Sequence, residues 1–349
     1  MIRIDEIYSN TFLPLIQSYP SQCSHFFDPF GTTDFANLCQ VPYITDIHKN
    51  FLFWDQEPFY PDIHQATLDK FFSHFISRQT VFVTSEYQSD NVAWACEKFG
   101  MQPSYYFFHG WAALDWYRGY NRTFLSRSFR DREIQKTFLC PNNIIGGRRR
   151  HRLELFAELV DRELIDGNYV SFPDRCPYEN KTVVELCKEY DIPLSAVNLP
   201  LKIDQGSHYQ NDSHQIDMWA LADQSLLHVV TETLYSGRRS HLTEKTFKPI
   251  VLQQPFILVS CQGSLEYLRR YGFQTFGKFW NEDYDYYDDD TRIMRIGKLL
   301  NDLDDLSAKE KINLQKHLAP IVEHNFNWFY SREFENILWQ ELLHMTQSW

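Results

Sequence analysis

The chain has 349 residues, too many for one ordinary domain and enough for two. Apolar residues make up 43% and aromatics 16%, while a formal net charge of −12 excludes a broadly cationic surface that would grip nucleic acid through its phosphates. Seven scattered cysteines without CxxC pairs read as reduced thiols of a cytoplasmic protein, the opening Met1-Ile-Arg-Ile-Asp-Glu lacks the pattern of a secretory leader, and no apolar stretch is long enough to span a bilayer.

In chain order, 51–54 (Phe-Leu-Phe-Trp) reads as a buried strand, followed by a turn at Pro58 and Pro61. Residues 63–76 have helical spacing, with Leu68, Phe71, Phe72 and Phe75 on one face. A strand is predicted over 81–84, a helix over 91–99 ended by Gly100, and a strand over 105–108. The polar, Arg-rich stretch 121–133 reads as a crossing. A second series follows: strand 137–140, helix 149–164, strand 169–172, helix 181–190, strand 226–232, helix 244–252, strand 255–260 and helix 264–271 ended by Gly272. From Arg292 onward the tail is amphipathic and helical, with a break expected at Pro320. Strands alternating with helices predict βαβ units and parallel sheets. The expectation is an N-terminal Rossmann-like domain over 1–130, a second over 131–320, and a helical tail over 321–349 packing back on the first.

Two segments carry candidate chemistry. Asn142-Asn-Ile-Ile-Gly-Gly-Arg-Arg-Arg-His-Arg lies where a strand turns into a helix. In an open parallel sheet, ligands bind beyond the carboxyl ends of the strands, and a helix N-terminus there offers free N–H groups to phosphate. Arg148, Arg149, Arg150 and Arg152 add fork-shaped donors suited to a diphosphate; a solvated basic helix start is the plain alternative. The second segment is a strand ending in Glu232, a Gly/Arg loop, and a helix opening with Thr243, Glu244 and Lys245. Lys245 can reach a phosphate, Glu232 or Glu244 can accept bonds from ribose or sugar hydroxyls, and Ser240 or Thr243 can cap the helix.

The run Glu232…Thr243-Glu244-Lys245…Gln254-Pro255-Phe256-Ile257 resembles the donor motif of the α-1,3-fucosyltransferases: a Glu-Asn-Ser strand end, a Thr-Glu-Lys helix start and a Val-Pro-Val strand. Thr233 stands where that family has Asn, and the intervening loop is slightly longer. The resemblance implies a GT-B arrangement, two Rossmann-like αβα domains facing a cleft, and a nucleotide-diphosphate-sugar donor. It places the family's donor arginine within the Arg148 to Arg152 cluster, with Arg150 or Arg152 favoured. Phe53 to Pro58 is similar to the family's strand ending in Glu-x-Pro, so the resemblance makes Glu57 the general base, with Asp55 in reserve. Glu86 and His109 follow as further strand-end candidates. Other segments, among them 137–140 and 169–172, resemble phage-type proteins, which implies action in a host cytoplasm and a hydroxymethylated DNA base as acceptor. A glycan is the other acceptor class.

The implied reaction is inverting transfer, with arginines and Lys245 neutralising the leaving diphosphate, no divalent metal required and no cofactor beyond the nucleotide-sugar. Asp283-Tyr-Asp285 matches an Asp-x-Asp metal motif, but it lies in an acidic run that reads as a solvated loop or hinge. His208 and His214 lack ligand spacing. There is no Walker loop and no nucleophile elbow. Non-catalytic nucleotide or sugar binding, and a scaffold that docks partners through its aromatic surface, are the rival classes.

Overall fold

A computed structural model describes residues 4–18, 22–26, 49–74, 79–117, 128–203 and 218–349, with 22–26 and residue 74 as backbone only. Phe75, His208, His214 and much of the predicted crossing lie outside the described residues. The chain forms two compact units: Met1–Asp115 with Gly237–His241 and Arg332–Trp349, and Trp116–Ser236 with Leu242–Ser331. No described helix is long and apolar enough to cross a membrane.

The first unit holds a parallel sheet in the order β1-β2-β3-β4, formed by Gln22–Phe26, Lys49–Trp54, Thr80–Thr84 and Met101–Tyr105. β2 is buried along its whole length, as an apolar run covered on both faces should be. On one face Leu52, Trp54 and Phe82 pack with Leu68 of helix α1 (Pro61–His74) and with Val92 and Ala95 of α2 (Asp90–Phe99). On the other, Phe51 and Phe53 meet Trp349, and Phe12 lies against Phe53, Tyr106 and Trp349. Ser89 caps α2 by accepting the Val92 N–H, and Gly100 ends it at φ 64°.

The strand expected over 105–108 falls earlier, at Met101–Tyr105, and Phe108–Tyr117 forms helix α3. β4 has two exposed residues, Gln102 and Pro103, whereas the apolar run at Tyr106 to Phe108 is wholly buried. A segment that is apolar all round carries no period to distinguish strand from helix.

The second unit holds a parallel sheet in the order β6-β5-β7-β8, with β5 Lys136–Pro141, β6 Tyr169–Ser171, β7 Ser225–Thr231 and β8 Phe256–Val259. Its helices are α4 (Arg150–Asp161), α5 (Val183–Tyr190), α6 (Trp219–Gln224), α7 (Glu244–Val251), α8 (Ser264–Arg270), α9 (Asp289–Asp304) and α10 (Ala308–Phe329). The chain leaves β5 toward β6 on one side and returns to β7 on the other, so the order reverses at β5. That reversal is a topological switch point, where open α/β sheets leave a crevice beyond the strand ends.

The break expected at Pro320 is absent, since α10 runs through it from Ala308 to Phe329. Pro320 and Lys316, one turn earlier, are both exposed, so the carbonyl that loses its partner is open to water. Both units are thus four-stranded parallel sheets flanked by helices, a Rossmann-like architecture.

Candidate functional site

In the second unit, β5 and β7 end side by side at the switch point. The register pairs Leu139 with His228, which brings Thr231 level with Asn142, and the Thr231 hydroxyl donates to Asn142 Oδ1 at 2.8 Å. α4 follows β5 after the loop 142–149, and no side chain caps its N-terminus. A 3-10 turn, Gly147–Arg149, leads straight into the helix, so the Arg149 and Arg150 N–H groups are taken by the carbonyls of Gly146 and Gly147 and the Gly147 N–H by the Tyr190 hydroxyl. What this start offers an anion is the positive end of its dipole.

The arginines of this start have separate fates. Arg152 is buried, and its guanidinium donates to the carbonyls of Ile144 (2.9 Å), Thr231 (3.0 Å) and Glu232 (3.2 Å). Burial, followed by repulsion from Arg149, lowers its pKa to about 10, while Glu232 and Glu244 support the charge. Arg150 is half exposed and taken by Glu154 at 2.6 Å, with its guanidinium 5.6 Å from the Tyr190 ring. Arg149 is partly buried and lies within electrostatic range of His151 and Arg152, and its guanidinium makes no ion pair or hydrogen bond among the described residues. Arg148 is exposed. His151 stacks on Tyr235 with centroids 4.9 Å apart and donates from Nε2 to the Glu232 carbonyl at 3.0 Å. Burial, with Arg152 beside it, holds this imidazole neutral.

Glu232 is fully buried, and its carboxylate is saturated. It accepts the Thr233 N–H (3.0 Å), the Thr243 N–H (3.0 Å), the Thr243 hydroxyl (2.6 Å) and the Thr246 hydroxyl (2.6 Å). The three bonds from Thr243 and Thr246 tie the end of β7 to the start of α7, and with the Thr233 N–H they leave Glu232 no acceptor over for a sugar hydroxyl. Thr243 is the N-cap of α7, accepting the Lys245 N–H at 3.4 Å. Lys245 Nζ lies 2.6 Å from Glu244 Oε1 and 3.3 Å from the Thr233 hydroxyl, with its side chain 30% exposed. Arg152, Glu232, Thr243, Glu244 and Lys245 thus form one continuous network. Ser240 lies elsewhere, in the first unit, where its backbone pairs with Tyr87.

The Asp283-Tyr-Asp285 segment is a short 3-10 turn rather than a solvated loop. Asp285 is buried and accepts the Leu265 N–H at 3.1 Å, which secures the start of α8, and Asp283 pairs with Arg295 at 3.3 Å. An acidic composition suggested hydration, but a helix start recruits a carboxylate just as well. Among the described residues no group of three or more His, Cys, Asp or Glu side chains is placed to hold a metal ion.

In the first unit the carboxyl ends of β2, β3 and β4 are level, because Trp54 pairs with Thr84 and Thr84 with Tyr105. The residues just beyond them therefore meet. Asp55 is buried, and one carboxylate oxygen accepts the hydroxyls of Tyr8 (2.6 Å) and Tyr106 (2.5 Å). Burial raises its pKa to about 6 against the lowering effect of the two phenols. Glu57 is partly buried in the bend after β2. Glu86 is buried beside Arg239 at 3.4 Å and accepts the Ser89 hydroxyl at 2.8 Å. His109 Nε2 donates to the Gln56 carbonyl at 3.1 Å, and its ring meets His241 edge to face at 4.8 Å.

Several of these groups are invisible to sequence reading. Tyr8, Arg239 and His241 come from stretches distant in sequence, and no local pattern marks them. Thr246 carries a signal only in hindsight, three residues after the N-cap of a helix that opens beside a buried carboxylate. Compared with known protein families, curated proteins and solved structures, the chain matches no family model, no curated protein and no solved structure.

Proposed function

We propose that this chain is a glycosyltransferase that moves a sugar from a nucleotide-diphosphate-sugar to an acceptor hydroxyl. The observation that carries the reading is the switch point of the second unit: a helix start without a side-chain cap, Arg149 with no ion pair among the described residues, the buried Arg152 and the network around Lys245. Such a constellation suits a multiply charged phosphate group better than a neutral ligand. Arg149, Arg152 and Lys245 would stabilise charge developing on the leaving diphosphate, with no divalent ion required. Glu244 would take a ribose or sugar hydroxyl, and Glu232 would keep Thr233, Thr243 and Lys245 in place.

Glu57, with Asp55 as second candidate, would draw the proton from the acceptor hydroxyl as it attacks the anomeric carbon with inversion. Help of this kind accelerates a reaction by about two to four powers of ten. The acceptor is a glycan or a hydroxymethylated DNA base. The first unit has eight Lys and Arg against sixteen Asp and Glu, which favours the uncharged acceptor over a polyanion.

Thermal unfolding in the presence of nucleoside diphosphates and nucleotide-sugars tests the reading. A ligand at a hundred times its Kd adds about 2.7 kcal/mol of stability. A rise in Tm with one nucleotide, lost in Arg149→Ala and Lys245→Ala, is expected. No rise with any nucleotide would move the chain to the class of interaction proteins.

A further inference from the structure

The bend that carries Glu57 is pinned on both sides, and both pins lead to one short segment. On the far side is Phe59. Its N–H donates to Glu86 Oε1, and its carbonyl accepts Arg239 Nη1 at 3.2 Å. Arg239 and Glu86 form a buried pair at 3.4 Å, and the guanidinium lies 4.9 Å from the Tyr60 ring. On the near side is Gln56, whose carbonyl accepts His109 Nε2–H. The His109 ring rests edge-on against His241, and His241 Nδ1 is in turn 3.3 Å from the Ser85 hydroxyl.

Arg239 and His241 both belong to Gly237–His241, the stretch that the first unit takes from the middle of the second unit's sequence. Within the first unit this strap is fixed as a strand-like edge. Ser240 and Tyr87 exchange N–H···O bonds at 2.9 Å each, and the Asp90 N–H donates to the Arg238 carbonyl at 3.1 Å. In sequence the strap is flanked by Thr233 on one side and Thr243 on the other, the two threonines beside Lys245.

We propose that Arg239 and His241 are positioning residues for Glu57. Resting on the glycosyltransferase reading, this inference says that one short strap holds the acceptor base in place. Arg239 holds Phe59 by charge-assisted bonding, and His241 steadies the imidazole that holds Gln56. Neither touches substrate. A displacement of about 1 Å in a base lowers turnover by about a hundredfold, so loosening either pin acts on kcat and leaves donor binding alone.

The test uses the full chain as wild type, Arg239→Gln, Arg239→Lys and His241→Asn, with hydrogen exchange over 55–60, nucleotide affinity and steady-state kinetics measured on each. Expected for Arg239→Gln are faster exchange in 55–60, nucleotide Kd within about twofold of wild type, and kcat down about 10- to 100-fold at unchanged donor KM. Arg239→Lys keeps one of the two bonds and should recover part of kcat, a rescue that general loosening would not give. Unchanged exchange and unchanged kcat in the folded variants would overturn the proposal. If the wild type transfers no sugar at all, the glycosyltransferase reading falls. Exchange over 55–60 then still decides whether the strap holds the bend: faster exchange upholds that role, and unchanged exchange removes it.

Discussion

Two buried carboxylates, Glu232 and Asp55, do opposite things because their partners differ. Glu232 meets four donors that fix it between β7 and α7, whereas Asp55 meets two phenols and loses more to burial than they return. Asp55 has its pKa raised from 3.8 to about 6, so the folded chain binds its proton more tightly than the unfolded chain does. Stability from this group is therefore intact below the ordinary carboxylate range and lost as pH rises through 6, by about 3 kcal/mol in all. Asp55→Asn cannot ionise. Urea unfolding from pH 4 to pH 7.5 should show the variant gaining on the wild type by about that amount, and a flat difference would mean that Asp55 titrates normally. Glu244 calls for a different experiment, because it neutralises the Lys245 ammonium at 2.6 Å. Glu244→Gln should bind inorganic diphosphate up to about fivefold tighter, the worth of a partly exposed ion pair. The same variant should bind the complete nucleotide-sugar no better if Glu244 takes a hydroxyl. Tighter binding of both ligands would limit Glu244 to a charge-balancing role. The residue types at strand ends and helix starts were legible in the sequence; which of them are saturated was not, since the donors to Glu232 include a threonine fourteen residues on.

At the scale of elements, the chain shows what periodicity can and cannot tell. β2, β5, β7 and β8 stand where their apolar runs predict, and the helices expected over 91–99 and 181–190 form behind N-caps at Ser89 and Thr182. The early placement of β4 and the buried helix α3 were hidden for one reason: a run covered on every side has no polar face to count from. Pro320 gave the opposite error, a true local signal overruled by packing, since Leu318, Ala319, Ile321 and Val322 are all buried around it. Gly272 is a stop signal with a second cause. It sits at φ 88°, and a Cβ there would lie 2.4 Å from the Trp328 ring, whose Nε1 donates to the Tyr271 carbonyl at 2.6 Å. Gly272→Ala should thus cost more than the roughly 1 kcal/mol of left-handed strain alone, about 2–4 kcal/mol with the overpacking included. Gly100→Ala serves as the control, having the same kind of φ and open space around its Cβ, and should cost only the strain. Equal losses in the two variants would show that Trp328 moves aside freely.

The whole molecule is less separable than a linear reading suggests, because no composition shift marks Gly237–His241 or Arg332–Trp349 as parts of the first unit. Both are recruited by long-range contacts: Arg239 on Glu86, Glu341 on the Phe107 N–H at 2.6 Å, and the Trp349 indole on Ser104 at 2.8 Å. The second unit is different, since 116–331 contains all of its residues, with the strap as an internal loop. This asymmetry makes a prediction about fragments. A fragment of residues 1–130 would leave Glu86 buried without its counter-charge, at a cost of about 3–5 kcal/mol. It would also leave the face of Phe51 and Phe53 without its tryptophan, at about 3–5 kcal/mol more. Their sum rivals the 5–15 kcal/mol that holds a typical domain together. Residues 1–130 should therefore show no cooperative thermal transition and no near-ultraviolet circular dichroism, whereas 116–331 should unfold cooperatively and still gain Tm from inorganic diphosphate. A cooperative transition in 1–130 would make the strap and the last helix accessories to a self-sufficient sheet. A fragment 116–331 that folds without responding to diphosphate would count against the proposed anion site at the β5–β7 switch point.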